Sequence, residues 1–243
     1  MKELRAPKMI LFDYGQTLVG ETEYDLLRGN EALMRCAVKN LRNLTPAQAH
    51  AFTEALWDRV CGAARQADRE IHEHQFVHLA YELLQIEFSI PVEEQSRVFY
   101  DHTYSVAPLR HIEELLEYLA GQGIRTGVVS NISEAGDALA ARIAQHLPDN
   151  AFEFVIASSE YGVRKPDPLI FQLALAKADL PPEDVWFCGD NHRCDVEGAF
   201  AAGMQPIWYC DTLEEPPACP HLHIRDWREF IEILKDVPCT TLT

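Results

Sequence analysis

The chain has 243 residues, 47% of them apolar, with 21 basic against 38 acidic side chains and a formal charge of −17. That length suits one large domain or a domain with an inserted module, and the apolar fraction supplies material for a core. The negative field disfavours nucleic acid and anionic lipid as partners, and any phosphate site must bring its own local positive charge. Seven cysteines, at positions 36, 61, 188, 194, 210, 219 and 239, include no CxxC pair, so they read as reduced thiols of a cytoplasmic protein. Met1–Arg5 leads into the first strand pattern without a signal-peptide apolar run. No run approaches the ~20 apolar residues of a membrane span.

Met9–Phe12 is a short apolar strand pattern that ends in Asp13 and a turn. A gap of about 110 residues without a convincing strand follows, filled by amphipathic helical patterns at Leu26–Leu41, Pro46–Ala67, Ile71–Glu87 and Val92–Tyr104. A connection that long is no simple crossover, so residues 20–107 are predicted to form an inserted helical module. Its hinges are expected near Val19–Gly20 and Ser105–Pro108. Residues 1–19 and 108–243 then make the core. Strand patterns at Arg125–Ser130, Phe154–Ala157, Val185–Gly189 and Pro206–Tyr209 alternate with helical ones at Ile112–Ala120, Glu134–His146, Leu169–Ala178 and Asp195–Ala202. Such alternation predicts an α/β fold with a Rossmann-like parallel sheet. Leu222–Ile224 and Trp227–Leu234 add an edge strand and a closing helix, and Pro238–Thr243 reads as a loose tail.

Asp13 and Asp190 each follow an apolar strand pattern. In an open parallel sheet both would stand at the carboxyl ends of strands, where such folds bind ligands. Two adjacent acids repel unless a proton or cation sits between them. A hard cation such as Mg²⁺, held by one or two carboxylates and a substrate phosphate, resolves the conflict. Ser130-Asn131 ends a third strand, and Lys165 precedes a helix start that Pro166 and Pro168 rigidify. Each residue alone has an ordinary structural role. A strand-end acid caps a turn, the hydroxyls of Thr17 and Ser130 stabilise turns, and Asp195 complements a helix dipole.

In this order, Asp13, Ser130-Asn131, Lys165-Pro166 and Gly189-Asp190-x₄-Asp195 resemble the four motifs of the haloacid dehalogenase (HAD) superfamily. Most of its members are Mg²⁺-dependent phosphohydrolases with an aspartate nucleophile. The resemblance spans residues 9–208, with residues 20–107 as an insertion, the all-helical cap that in this superfamily covers the site and selects small substrates. It implies that Asp13 attacks phosphorus. Thr17, Ser130 and the amide of Asn131 would bind phosphoryl oxygens, and Lys165 would neutralise charge. Asp13, the Gly15 carbonyl and Asp190 would hold Mg²⁺, with Asp195 beside them orienting water or Lys165.

One position departs from the pattern. Phosphatases of the superfamily carry a second aspartate, as general acid, two positions after the nucleophile, and here that position is Gly15. A positioned acid is worth about 10²–10⁴-fold in rate. Relatives that cleave carbon–phosphorus or carbon–halogen bonds also lack it. Phosphonate-cleaving relatives use a cap lysine, and Lys39, which reads as a surface lysine, is the one lysine between residues 18 and 107. Dehalogenases do not keep the metal-binding acid that stands here as Asp190. His74 and His78 have the i,i+4 spacing of a metal pair without a third ligand, so they read as a solvated helix face. A cap histidine, Tyr14, Gln16 or His192 is a candidate for the missing donor, and an aspartate placed at position 15 is expected to be strained. The expected function is Mg²⁺-dependent hydrolysis of a small phosphorylated metabolite through an aspartyl-phosphate. The alternatives are a weak or inactive relative that binds a phosphorylated ligand or partner, and phosphonate cleavage.

Overall fold

The computed structural model describes residues 4–212 and 215–238. Cys239 and the rest of the expected loose tail lie outside them. The chain starts with β1 (Met9–Phe12) and passes into β2 (Val19–Tyr24) and α1 (Leu26–Met34). Next come β3 (Ala37–Asn40), α2 (Pro46–Trp57), a π-helical turn at Asp58–Gly62, α3 (Ala63–Gln66), α4 (Glu73–Leu84), β4 (Ile86–Phe88) and α5 (Val92–Thr103). The chain returns through β5 (Tyr104–Pro108) and then alternates: α6 (Ile112–Gly121), β6 (Arg125–Ser130), α7 (Gly136–His146), β7 (Phe152–Ala157), α8 (Pro168–Ala178) and β8 (Val185–Gly189). A π-helical turn (His192–Glu197) runs into α9 (Gly198–Ala201), followed by β9 (Gln205–Tyr209), β10 (Leu222–Ile224) and α10 (Trp227–Asp236).

Six of these strands form one parallel sheet in the order β10-β9-β8-β1-β6-β7. Its strands are apolar on both faces, as a sheet covered by helices on both sides requires. Alternate residues of β1 feed two separate cores. Ile10 and Phe12 pack with Val128, Trp186 and Ile207, and with Ile112 and Leu115 of α6 and Trp227 and Phe230 of α10. Met9 and Leu11 pack with Val129, Ile156 and Phe187, and with Ile170, Phe171 and Ala174 of α8. From β1 the chain builds outward on one side through β6 and β7, then crosses back to build β8, β9 and β10 on the other. The carboxyl end of β1 therefore lies at the topological switch point, where open α/β sheets bind ligands.

The stretch between β1 and α6 is helical in bulk, as its amphipathic patterns predict, but it is not all helix. β2 and β5, where the chain leaves and rejoins the sheet, pair antiparallel with one another, Val19 opposite Pro108 and Gly20 opposite Ala107. The two expected hinges are thus one ribbon. The helical pattern extended over Leu26–Leu41 stops at Met34, and Ala37–Asn40 pairs with Ile86–Phe88. Tertiary pairing overrides the local period here. Gln85, left-handed at φ 56°, ends α4 and turns the chain into β4. The pattern over Pro46–Ala67 is real but interrupted by a π-turn, a feature frequent at functional sites. A third core, with Leu33, Ala49, Leu56, Ala80, Tyr81, Leu84 and Ile86, belongs to this stretch alone. No helix among the described residues is long and apolar enough to cross a membrane.

Contact between α1 and α5 depends on Gly29, where a Cβ would lie 2.1 Å from Thr103 Oγ1 and 2.9 Å from the Phe99 carbonyl oxygen. In an isolated helix alanine is better than glycine by roughly 0.5–1 kcal/mol, but overpacking costs about 1–3 kcal/mol. Gly29→Ala is expected to lower the melting temperature by a few degrees, at roughly 2–4 °C per kcal/mol for this size. Gly62→Ala, whose Cβ would meet open space, should leave it unchanged or raise it. Thermal unfolding of the two variants checks the assignment.

Candidate active site

Three neighbouring strand ends bring the predicted residues together. The Asp13 amide donates to the Cys188 carbonyl at 2.8 Å, which holds the end of β1 to β8. Lys165 Nζ lies 2.6 Å from Asp13 Oδ1 and 2.6 Å from Asp195 Oδ1. Lysine and acids are all buried, Lys165 at 1%, Asp195 at 2% and Asp13 at 8% exposure. The side chain of Asn131 clasps the Lys165 backbone from both sides: its Nδ2 donates to the Lys165 carbonyl at 2.9 Å and its Oδ1 accepts the Lys165 amide at 2.8 Å. Asn131 thus positions the lysine as well as ending β6, a function its sequence position alone did not reveal.

Gly189 makes room for Asp195, since a Cβ there would lie 2.4 Å from the Asp195 carboxyl carbon. The four-residue gap between Asp190 and Asp195 is spanned by the π-turn. Asn191 Oδ1 accepts the Cys194 amide at 2.8 Å, and Asp195 Oδ2 accepts the Asn191 amide at 3.0 Å. The Trp208 indole donates to the Asp190 carbonyl at 3.0 Å, fixing the end of β8. The helix expected from Asp195 accordingly begins as a π-turn at His192.

Carboxylate oxygens of Asp13, Asp190 and Asp195 all lie within 4.8 Å of one another. Burial is the main force raising Asp13 to about 6; Lys165 lowers it and Asp195 raises it further. Burial also lifts Asp190 to about 7, with repulsion from Asp13 and Asp195 added. The Lys165 pKa is raised as well, for a different reason. Burial alone would lower it, but Asp13 and Asp195 outweigh burial and hold it protonated. One ammonium therefore faces three acids. A set of hard oxygen donors with an uncompensated negative charge suits a divalent cation of the Mg²⁺ type, and the residues present fit one.

The strand ends open into a cavity of about 670 Å³ lined by Asp13, Gly15, Ser130, Asn131, Lys165, Asp190 and Asp195 on the sheet side. Its far wall comes from the β2–β5 stretch and includes Trp57, Arg65, Phe76, Tyr81 and Phe99. Thr17 does not line it; its hydroxyl is buried, without a hydrogen-bond partner, in the turn after Asp13. Tyr14 and Gln16 face the cavity, whereas His192 lines a separate hollow and packs edge-on against Trp208 at 4.6 Å. His74, His78 and Lys39 do not line the cavity, and Lys39 sits in β3 paired to Glu87 at 2.5 Å. The expected strain at position 15 is absent, because Gly15 has no positive φ and nothing lies within 4 Å of its Cβ position. Sequence reasoning gave no role to Glu73, Arg65 or Arg164, all of which reach the cavity. Arg164, next to Lys165, was the one with a local signal.

A family model described as haloacid dehalogenase-like hydrolase matches residues 7–203. The chain belongs to this family. A glyceraldehyde 3-phosphate phosphatase of Pyrococcus furiosus is 27% identical over 85% of the chain and 82% of its own length. A phosphoserine phosphatase of Thermus thermophilus is 41% identical over 80 residues, 32% of each protein. The human haloacid dehalogenase-like hydrolase domain-containing protein 3 is 32% identical over 47% of the chain. The chain spans only about a third and under a half, respectively, of the latter two (32% and 44%). Among solved structures, a 2-haloacid dehalogenase from Pseudomonas syringae superposes with a TM-score of 0.66 at 22% identity, over 94% of this chain and 98% of its own. A phosphatase of the same superfamily from Thermococcus onnurineus gives 0.65 at 18% identity over 94% and 98%. At these identities the superpositions establish the fold alone.

An acid whose folded pKa is raised binds its proton more tightly in the native state. It supports the fold at low pH and loses that support as pH rises through the native value. For Asp190 that window ends near 7. Without divalent cations, Asp190→Asn is therefore expected to stabilise this hydrolase at pH 8, by about 0.5–2 kcal/mol, and much less at pH 5. Chemical denaturation in EDTA at both pH values measures the difference.

Proposed function

We propose that this hydrolase is a Mg²⁺-dependent phosphatase acting on a small phosphorylated metabolite through an aspartyl-phosphate. The observation that carries the reading is the buried Asp13–Lys165–Asp195 chain with Asp190 beside it. The residues 1–19 and 108–243 form the catalytic core, and residues 20–107 form the cap that closes the cavity. Its separate apolar core supports that division.

Asp13 supplies the nucleophilic carboxylate. Lys165, protonated and held by Asp195, balances charge on Asp13 and on the transferring phosphoryl oxygens. Ser130, which lines the cavity, donates to those oxygens, whereas Thr17 stays buried in the turn behind Asp13. Asp13, Asp190 and the Gly15 carbonyl hold Mg²⁺, with Asp195 behind them. The cation, when bound, supplies electrostatic stabilisation of negative charge on the phosphoryl group. Arg65 and Arg164 line the same cavity and bring positive charge to an otherwise acidic protein. The names of the relatives, phosphatases of phosphoserine and glyceraldehyde 3-phosphate, support a small phosphate ester as substrate.

The retained Asp190 disfavours carbon–halogen cleavage. Phosphonate cleavage through Lys39 is disfavoured because that side chain stands in β3 outside the cavity. Gly15 keeps a second reading in play, a relative that binds a phosphorylated ligand without turning it over. Hydrolysis of 4-nitrophenyl phosphate separates the two. Turnover is expected with Mg²⁺ and not with EDTA, and Asp13→Asn should abolish it with the fold intact by circular dichroism. Binding of phosphate esters without any turnover would establish the second reading.

A further inference from the structure

Resting on the phosphatase reading, we infer that Glu73, the first residue of α4, is the proton donor that Gly15 does not supply. Six carboxyl side chains line the cavity: Asp13, Asp190, Asp195, Glu54, Asp58 and Glu73. The first three belong to the cation and to Lys165. Glu54 and Asp58 are exposed, on the helical side alone. Glu73 is 4% exposed, and it is attached to the catalytic loop itself. Its amide donates to the Ser133 carbonyl at 2.8 Å, and its Oε1 accepts the Ala135 amide at 3.3 Å. Ser133 is three residues beyond Ser130, at the end of β6 next to Asp13. Glu73 thus lines the same cavity as Gly15 and is positioned by the loop that follows the Ser130 hydroxyl.

The surroundings of Glu73 favour a protonated carboxyl at neutral pH. Burial raises it to about 7 and Glu134 adds to the rise, against hydrogen bonds from Tyr100, Ala135 and Ser96. Arg142 of α7 is committed to Glu134 and to the Tyr104 hydroxyl. His74, with Nε2 at 3.8 Å, is held neutral by burial and by His72. From α5, Tyr100 faces the carboxyl as a neutral phenol, its own proton held by burial. An acid that titrates near the operating pH is suited to give and take a proton.

In the step assigned to it, an Asp13 oxygen forms a bond to phosphorus as the phosphorus–oxygen bond to the leaving group breaks. The Glu73 proton passes to the leaving oxygen, which departs as an alcohol. In the second half, water attacks the aspartyl-phosphate, its proton returns to the Glu73 carboxylate, and phosphate and the Asp13 carboxylate are released. The register that governs this donor differs from the one the family motif supplies: it comes from α4, and its distance to Asp13 in the chain is 60 residues.

Two leaving groups test the assignment. A phenolate such as that of 4-nitrophenyl phosphate departs without a proton, whereas an alkoxide needs one. Glu73→Gln keeps the shape and the acceptor for Ala135. It is expected to reduce kcat/KM for the best alkyl phosphate of a panel by 10²–10⁴ and to reduce the aryl rate far less. The fall of the alkyl rate above about pH 7 should disappear. Adding Gly15→Asp, for which there is space, should restore alkyl hydrolysis in the Glu73→Gln protein. Equal losses on both substrates would overturn the proposal in favour of a structural role, as would an unchanged alkyl rate. A wild type that cleaves aryl but no alkyl phosphate would overturn it too, whereas one that cleaves neither defeats the phosphatase reading itself.

Discussion

The constraint on which the rest of the structure depends is a single ammonium buried between two carboxylates, with a third carboxylate close by. Charges taken out of water are costly unless paired, and a pair is costly to break on one side only. Lys165 between Asp13 and Asp195 pairs with two of the acids, leaving Asp190 raised and the ionised group as a whole two charges short. The surrounding geometry serves that arrangement. Asn131 clasps the lysine backbone, Gly189 clears space for Asp195, and the π-turn brings Asp195 back under Asp190. Each of these would be dispensable in a purely structural sheet end. Together they maintain a group of charges that is unfavourable without a ligand, which is the expected signature of a site selected for function rather than for stability.

The stretch from β2 to β5 is tied to that centre by polar contacts more than by apolar ones. Its chain between α3 and α4 reaches the loop that carries Lys165. Glu70 accepts from Ser158 at 3.1 Å and lies 3.3 Å from both Arg65 and Arg164, and the amide of Arg164 donates to the Asp68 carbonyl. On the rim, Asp68 pairs with Arg193 and Arg69 with Asp167. Exposed pairs of this kind contribute little individually, so they set register rather than strength. Buried Glu70 differs, because two guanidiniums and a hydroxyl satisfy one carboxylate. The β2–β5 stretch is thereby linked to Arg164, one residue from Lys165.

The sheet was legible because its signal is local. Buried parallel strands are continuous apolar runs, and Arg125–Ser130 and Val185–Gly189 are bounded in the structure as their composition indicates. Three motif acids and one lysine were legible because strand ends and helix starts are marked by the residues themselves. What was missed is non-local. Ala37–Asn40 becomes a strand only because Ile86–Phe88 lies opposite, 48 positions from Lys39 to its partner Glu87. Glu73 looks like one more polar residue on a histidine-crowded helix until Ser133 and Ala135 are seen against it. The hydrogen-bonding role of Asn131 likewise depends on Lys165, 34 residues on. Nor could the sequence show that Gly15 is unstrained, since a backbone angle is a property of the turn.

The charge of the protein and the charge of its cavity pull in opposite directions, and the fold reconciles them. At −17 the chain repels a phosphate ester at long range. Screening removes most of that repulsion beyond about 8–10 Å at physiological ionic strength, so the contest is decided inside the cavity. There the cations are few: buried Lys165 at the sheet end and the partly buried Arg65–Arg164 pair sharing Glu70. Two arginines against one carboxylate leave one positive charge. On the sheet side, three carboxylates against one lysine leave the opposite excess, which a divalent cation would cancel. On the proposed reading the cavity would therefore be more attractive to an anion with a divalent cation bound. Cation binding would then precede that of the phosphate ester, in a cavity that the buried Glu73 of α4 also lines.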